Sequence, residues 1–321
     1  MKDKNYLFAV ASVRAKENAL LSKSDLEQLI NAESYKRAAA MLNEKGYELS
    51  EGDYSAVLDE KLKEVWDFIN SSAEEATALG AFVVKNDFQN LKAVLKAEVM
   101  GYDAESYLVE PSMIEPKKLL DSVKNRNFGS LPEHIGETAD KATQLLAKTE
   151  NAQLCDALID RAALETIIAL AKTSDDSIII KYANEYCLAA NIKIAYRAIK
   201  TKKSRVFLNT AIAENELINR ESLISAALSG EEEFFSFLSS NGFSDYEEAL
   251  SNGSSAFEKY CDDKLLSIVK GAKMTAFGIS PLAAYFVAKE TEIKCLRIIL
   301  SAKQSHISGD IIRERIRELY V

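Results

Sequence analysis

The chain has 321 residues, 47% of them apolar, which is material for more than one hydrophobic core. Only 12 glycines and 4 prolines punctuate that length, which disfavours a fold of many tight turns and favours long helices. A formal net charge of −9 opposes phosphate backbones and anionic lipid surfaces, so nucleic-acid binding and membrane attachment through bulk charge are set aside.

In chain order, Lys2 and Lys4 precede a short apolar run over 6–11, an imitation of a secretory signal. Arg14, Lys16 and Glu17 follow at once, so the start reads as part of a cytoplasmic protein. Ser24-Asp25-Leu26-Glu27 has the spacing of a capping box and opens a leucine-rich helical stretch over 25–43. Leu58, Leu62, Val65, Trp66 and Ile69 fall three or four apart and predict a helix over 55–70. A further helical segment holds Asn90-Leu91-Lys92. The stretch from Gly101 to Pro111 is a candidate boundary.

The second third repeats the scheme. A helix is predicted over 153–171, and Ile178-Ile179-Ile180, although β-branched, sits in a helical pattern and reads as buried helix. The basic stretch 200–205 is the next candidate boundary. Shorter leucine- and acid-rich helices over 218–240 lead to a stripe of Phe257, Tyr260, Cys261, Leu265, Ile268 and Val269 within 254–275. Residues 274–288 carry no charge. They are too few to cross a bilayer and are broken by Gly278 and Pro281, so they read as a buried helix pair, with a contact surface as the alternative. Ser280-Pro281 places a hydroxyl before a helix-starting proline, and Ile312, Ile316 and Leu319 predict a C-terminal helix. No strand alternation interrupts this order, and the fold class is all-α.

An internal repeat organises these helices. Asn90-Leu91-Lys92, Asn191-Ile192-Lys193 and Glu292-Ile293-Lys294 begin at 90, 191 and 292, equal steps of 101. A further basic residue follows each: Lys96, Arg197 and Arg297, the last one position early. Three helical domains are expected: 1–107, 108–208, and 209–321 with the C-terminal helix. Lys92, Lys193 and Lys294 either form a basic ring facing a partner or pair with carboxylates on neighbouring helices of their own repeat.

Enzyme chemistry finds little support. No phosphate-cradling glycine loop is present. His134 and His306 stand apart, too far separated to read as a metal site or a dyad. Asp175-Asp176 and Asp262-Asp263 lack the third carboxylate of a magnesium-binding DDxxD and read as solvated helix-end acids. Glu231-Glu232-Glu233 reads as a helix N-terminus. Cys155, Cys187, Cys261 and Cys295 are widely spaced and read as reduced, buried thiols.

The opening Tyr6, Arg14 and Leu20-Leu21-Ser22-Lys23-Ser24-Asp25-Leu26 resembles the start of a known family. The recurring aliphatic-lysine element resembles it too, as do Phe277-Gly278, Pro281-Leu282, Tyr285, Lys289-Glu290, Leu296-Arg297 and the ending over 312–321. The family is the C subunit of archaeal-type and bacterial V-type ATP synthases, corresponding to the d subunit of the eukaryotic proton pump. The resemblance implies three similar helical domains in a funnel with pseudo-threefold symmetry. It implies a non-catalytic rotor subunit, with no cofactor and no membrane span, on the cytoplasmic side of the membrane. Its partners would be the D and F subunits of the central stalk and the membrane proteolipid ring, and its role torque transmission for proton or sodium transport. The residues taken without the resemblance leave open a helical-repeat scaffold that binds other soluble proteins.

Overall fold

A computed structural model describes residues 6–50, 53–73 and 76–321; Lys2 and Lys4 lie outside them. Among the described residues all regular structure is helical, α and 3-10, with no strand. The chain divides into two compact units, one of residues 1–76, 176–182 and 248–321, the other of 77–175 and 183–247.

The first unit unites the two ends of the chain. Its longest helix, Ser280–Gln304, is buried on nearly every residue from Ser280 to Ala288. The uncharged stretch is thus core over 279–288, as the start of one helix and not a helix pair, while Met274 and Phe277 at its beginning are exposed. Helix Tyr54–Ser72 starts at Asp53, whose side chain accepts from the Ala56 N–H, and it buries Leu58, Val65, Trp66 and Ile69 against that long helix. The Trp66 ring meets Phe286 edge-on at 5.7 Å. Helix Ser254–Lys270 packs on the long helix as well. Leu21, Leu26, Leu29, Ile30 and Leu42 from the start of the chain share one core with Leu296, Ile299, Leu300 and Ile312 from its end. Each such side chain contributes about 1.5–3 kcal/mol by leaving water. Polar ties run the same way: Lys303 Nζ donates to the carbonyls of Ile30 and Ala32, and Arg313 pairs with Glu27.

Three helix ends differ from the sequence expectation. The stretch 25–43 is two helices, Lys23–Asn31 and Tyr35–Glu44, and the first is capped by Ser22 with Asp25 completing the capping box, not by Ser24 with Glu27. Glu27 is left to pair with Arg313. Ser280 does not cap the long helix: Ile279 is the N-cap, and the Ser280 hydroxyl donates to Asp176. The C-terminal helix Gly309–Arg315 stops before Leu319. Residues beyond it give up helical hydrogen bonds for tertiary ones. Lys259 donates to the Ile316 carbonyl, Arg317 pairs with Asp262, and the Glu318 N–H donates to Asp263 at 2.7 Å.

The second unit is built around helix Val84–Met100 packed on Ala152–Ala171, with Pro116–Lys124 and Glu133–Thr149 beside them. Gly101 ends Val84–Met100 with φ +75, a left-handed turn that a side chain would strain. Helix Ser177–Lys200 contributes its residues from 183 on to this unit; Ile178-Ile179-Ile180, in its first turn, is helical but counts with the first unit, and of the three only Ile179 is fully buried. The 218–240 stretch is split at Gly230 (φ +127) into Arg220–Ser229 and Glu231–Ser240.

Candidate functional site

The repeated triplet marks a clamp, and its first residue does the gripping. Asn90, 1% exposed, lies on the inner face of helix Val84–Met100. Its Nδ2 donates to the Val109 carbonyl at 3.0 Å and its Oδ1 accepts from the Val109 N–H at 2.7 Å. Asn191, 0% exposed, does the same one repeat later. Its Nδ2 donates to the Ala213 carbonyl at 2.9 Å and its Oδ1 accepts from the Ala213 N–H at 3.0 Å. A primary amide carries one acceptor and donors on neighbouring atoms, so it satisfies both backbone groups of one residue at once. Both connectors leave their helix and turn back over it, where those groups have no ladder partner.

The third position is Glu292, 1% exposed. A carboxylate has no donor and cannot make the same pair of bonds. Its Oε2 accepts from the Leu21 N–H at 2.5 Å, while Oε1 accepts from the Tyr47 hydroxyl and from Lys289 Nζ. Lys289 Nζ is also 2.7 Å from the Tyr47 oxygen and 4.7 Å from its ring centre. Burial, reinforced by the Glu292 charge, pushes the Tyr47 phenol far above its usual range, so it stays a donor. A segment near the start of the chain thus takes, against the third copy, the place that the following connector takes against the first two.

The three lysines are each half-buried. Lys92 Nζ lies 2.6 Å from Asp160, and Lys96 lies 2.7 Å from Asp156 on the same helix. That helix, Ala152–Ala171, belongs by sequence to the following repeat, so the Lys92 pair crosses the 107/108 boundary rather than staying within its own repeat. Lys294 Nζ lies 2.9 Å from Asp262 on helix Ser254–Lys270, within its own repeat. Lys193 lies on helix Ser177–Lys200. Arg297 reaches Asp59 and Ser55.

The remaining candidates have structural partners. Asp176 Oδ1 accepts from the N–H groups of Ile178 and Ile179, a helix-end role as expected. Asp262 and Asp263 do not: they lie inside helix Ser254–Lys270, bridged to Lys294, Arg317 and Lys259. Burial raises the Asp263 carboxyl above its usual range. Glu231, Glu232 and Glu233 form the first turn of their helix, and Glu231 pairs with Lys200. His134 packs near Phe88, and burial lowers its pKa; His306 sits in an exposed turn at φ +53. Among the described residues no cluster of His, Cys, Asp or Glu could hold a metal, and no helix is long and apolar enough to cross a membrane. Cys155, Cys187 and Cys295 are buried, Cys261 half-buried, and none is in a disulfide.

Sequence reading passed over Asp87 and Asn86, which extend the first clamp. Asp87 Oδ2 and Oδ1 accept from the N–H groups of Met113 and Ile114 at 3.1 and 2.8 Å, and Asn86 Nδ2 donates to the Pro111 carbonyl at 2.7 Å. Polar residues three and four positions from Asn90, and so on its helix face, are the signal in the sequence.

The profile of the ATP synthase (C/AC39) subunit family matches residues 9–315. The C subunit of the V-type sodium ATPase of Enterococcus hirae is 25% identical over 319 residues, 96% of this chain and 97% of that protein. The C subunit of the A-type ATP synthase of Methanobrevibacter smithii is 27% identical over 334 aligned positions, 93% of this chain and 84% of that protein. That of Methanocaldococcus jannaschii is 22% identical, covering 98% of this chain and 86% of that protein. A helical chain whose two ends share one core, matched across nearly its whole length, belongs to the ATP synthase (C/AC39) subunit family, a non-catalytic component of rotary V-type and A-type ATPase complexes.

Proposed function

We propose that this chain is the rotor adapter that joins the central stalk, built from the D and F subunits, to the membrane proteolipid ring and passes torque between them. The observation that carries the reading is the family match over residues 9–315. The fold is in keeping with it, since an adapter under torque must be stiff, and interdigitated helices with clamped connectors resist deformation. Three domains at 1–107, 108–208 and 209–321, in a funnel of pseudo-threefold symmetry, belong to the same proposal. The equivalent grips of Asn90 and Asn191 support it. Lys92, Lys193 and Lys294 are assigned to architecture rather than to a basic ring, on the strength of the Asp160 and Asp262 pairs. The chain sits on the cytoplasmic face of the membrane through its partners.

Co-sedimentation tests this. Purified chain is mixed with membranes carrying the bare ring, with and without D and F. Saturable binding that then recruits D and F is expected. Binding to neither would return the chain to the class of free-standing helical scaffolds.

A further inference from the structure

Three residues occupy the clamped position of the repeat, and their side chains meet different fates. Leu21 is 2% exposed and Ala213 is 0% exposed. Val109, gripped by the same two bonds as Ala213, is 36% exposed. The surface around it is apolar as well: Val99, Met100, Tyr102 and Tyr107 are all exposed, Val99 and Met100 by about two-thirds or more. Tyr102 and Tyr107 stack edge to face at 5.2 Å. Val99 and Met100 border a small apolar notch of about 40 Å³ with Leu95, Leu146 and Ile159.

The far end of this surface is anchored. Five hydrogen bonds from Asn86, Asp87 and Asn90 fix the backbone over 109–114, and Ala104 is buried beneath the loop at 1% exposure. A preformed surface loses little conformational entropy when a partner covers it. Exposed Tyr and Met side chains are the residue types enriched where proteins meet.

Along the chain, the charge of this segment has one sign. From Glu98 to Glu115 the chain carries five carboxylates and no Lys, Arg or His. Glu98 is paired with Arg126, and Asp103, Glu105, Glu110 and Glu115 are exposed. The nearest lysines along the helix, Lys92 and Lys96, are already engaged by Asp160 and Asp156. An anionic lipid surface would be repelled here.

We propose that residues 99–109 form a docking surface for a cationic amphipathic helix of a neighbouring subunit. Its apolar face would cover Val99, Met100, Tyr107 and Val109, and its lysines or arginines would meet Asp103 and Glu105. The proposal rests on the reading of this chain as one member of an assembly.

The test places the photo-crosslinker p-benzoylphenylalanine at Tyr107 in the assembled complex, with Val206, exposed elsewhere in the same unit, as control. Irradiation should join position 107 to one segment in which Lys and Arg outnumber Asp and Glu, and position 206 should not reach that segment. Asp103→Lys with Glu105→Lys should lower the yield about tenfold with circular dichroism unchanged. A product on an acidic or uncharged segment or on lipid, no product, or indifference to the charge reversal would each overturn the proposal. Should co-sedimentation fail, the adapter reading falls on its own. The docking surface is then tested on the purified chain with a helical Leu–Lys peptide and its Leu–Glu counterpart. Preference for the Leu–Lys peptide that Tyr107→Ser abolishes supports it; equal binding, or no effect of Tyr107→Ser, overturns it.

Discussion

Asn90 and Asn191, one repeat apart, each hold a single backbone residue by both its N–H and its C=O. The grip is the same, but the surroundings are not. Ala213 is sealed among Leu164 and Cys187, whereas Val109 is open to water on one side. Replacing either Asn by Ala strands a donor and an acceptor, at about 1–3 kcal/mol for a buried group. Val109 is 36% exposed against 0% for Ala213, so once Asn90 is cut back water has the shorter way to the freed backbone groups and softens that loss. Urea unfolding should therefore show Asn191→Ala as more destabilising than Asn90→Ala, and equal effects would count against the clamp as described.

The third copy replaces the amide with an ion pair. Glu292 and Lys289 lie 2.5 Å apart with 1% and 12% of their side chains exposed. Removing one member of such a pair strands the other, at about 3–5 kcal/mol. Lys289→Met alone and Glu292→Gln alone should each lower the unfolding midpoint. The double variant should recover part of the sum, because no unpaired charge is left. Strict additivity in the double-mutant cycle would show that the pair is not coupled.

Asp87 supplies a pH dependence. Burial pushes its carboxyl up to about 6, against the lowering effect of the Ile114 and Met113 N–H groups. A folded pKa above the unfolded one means that the protonated form is favoured in the native state. Its contribution is complete below the unfolded value near 4 and is lost as pH rises through about 6. The span corresponds to on the order of 2–3 kcal/mol at this site. Between pH 4 and pH 7 the stability of the native chain should fall relative to Asp87→Asn, which has no titrating group there. Parallel curves for the two proteins would contradict the assignment.

The thiols give a further check. Burial pushes Cys187 up to about 12 and Cys295 up to about 11, and raises Cys155 as well, so all three stay protonated at neutral pH. In the native protein a thiol reagent should label Cys261 alone at an appreciable rate, and all four cysteines after unfolding. Rapid labelling of Cys187 or Cys295 would mean that the core around them opens.

The helices were legible because their apolar positions recur at helical spacing, as Leu58, Val65, Trp66 and Ile69 show in their buried stripe. The 101-residue step was legible too, and it pointed at the right helix faces. It could not say which residue of each triplet carries the contact. The lysines draw attention because charge is conspicuous, and Lys92 and Lys294 do reach Asp160 and Asp262, yet the buried Asn90, Asn191 and Glu292 are the residues that hold the connectors and the start of the chain. Their partners lie at separations of 19, 22 and 271 residues, and no local pattern encodes such a pairing. The tail beyond Arg315 misled for a related reason. Ile316 and Leu319 continue a helical stripe, but Asp262, Asp263 and Lys259 offer the backbone and Arg317 stronger partners than another helical turn would.

The central claim is that this chain couples the stalk to the ring, and coupling can be measured directly. Vesicles carrying the rotary complex are depleted of the chain, and ATP hydrolysis and ion uptake are followed together before and after purified chain is returned. The adapter account predicts hydrolysis without uptake in the depleted vesicles and restored uptake on addition. Full ATP-driven uptake in its absence would contradict it.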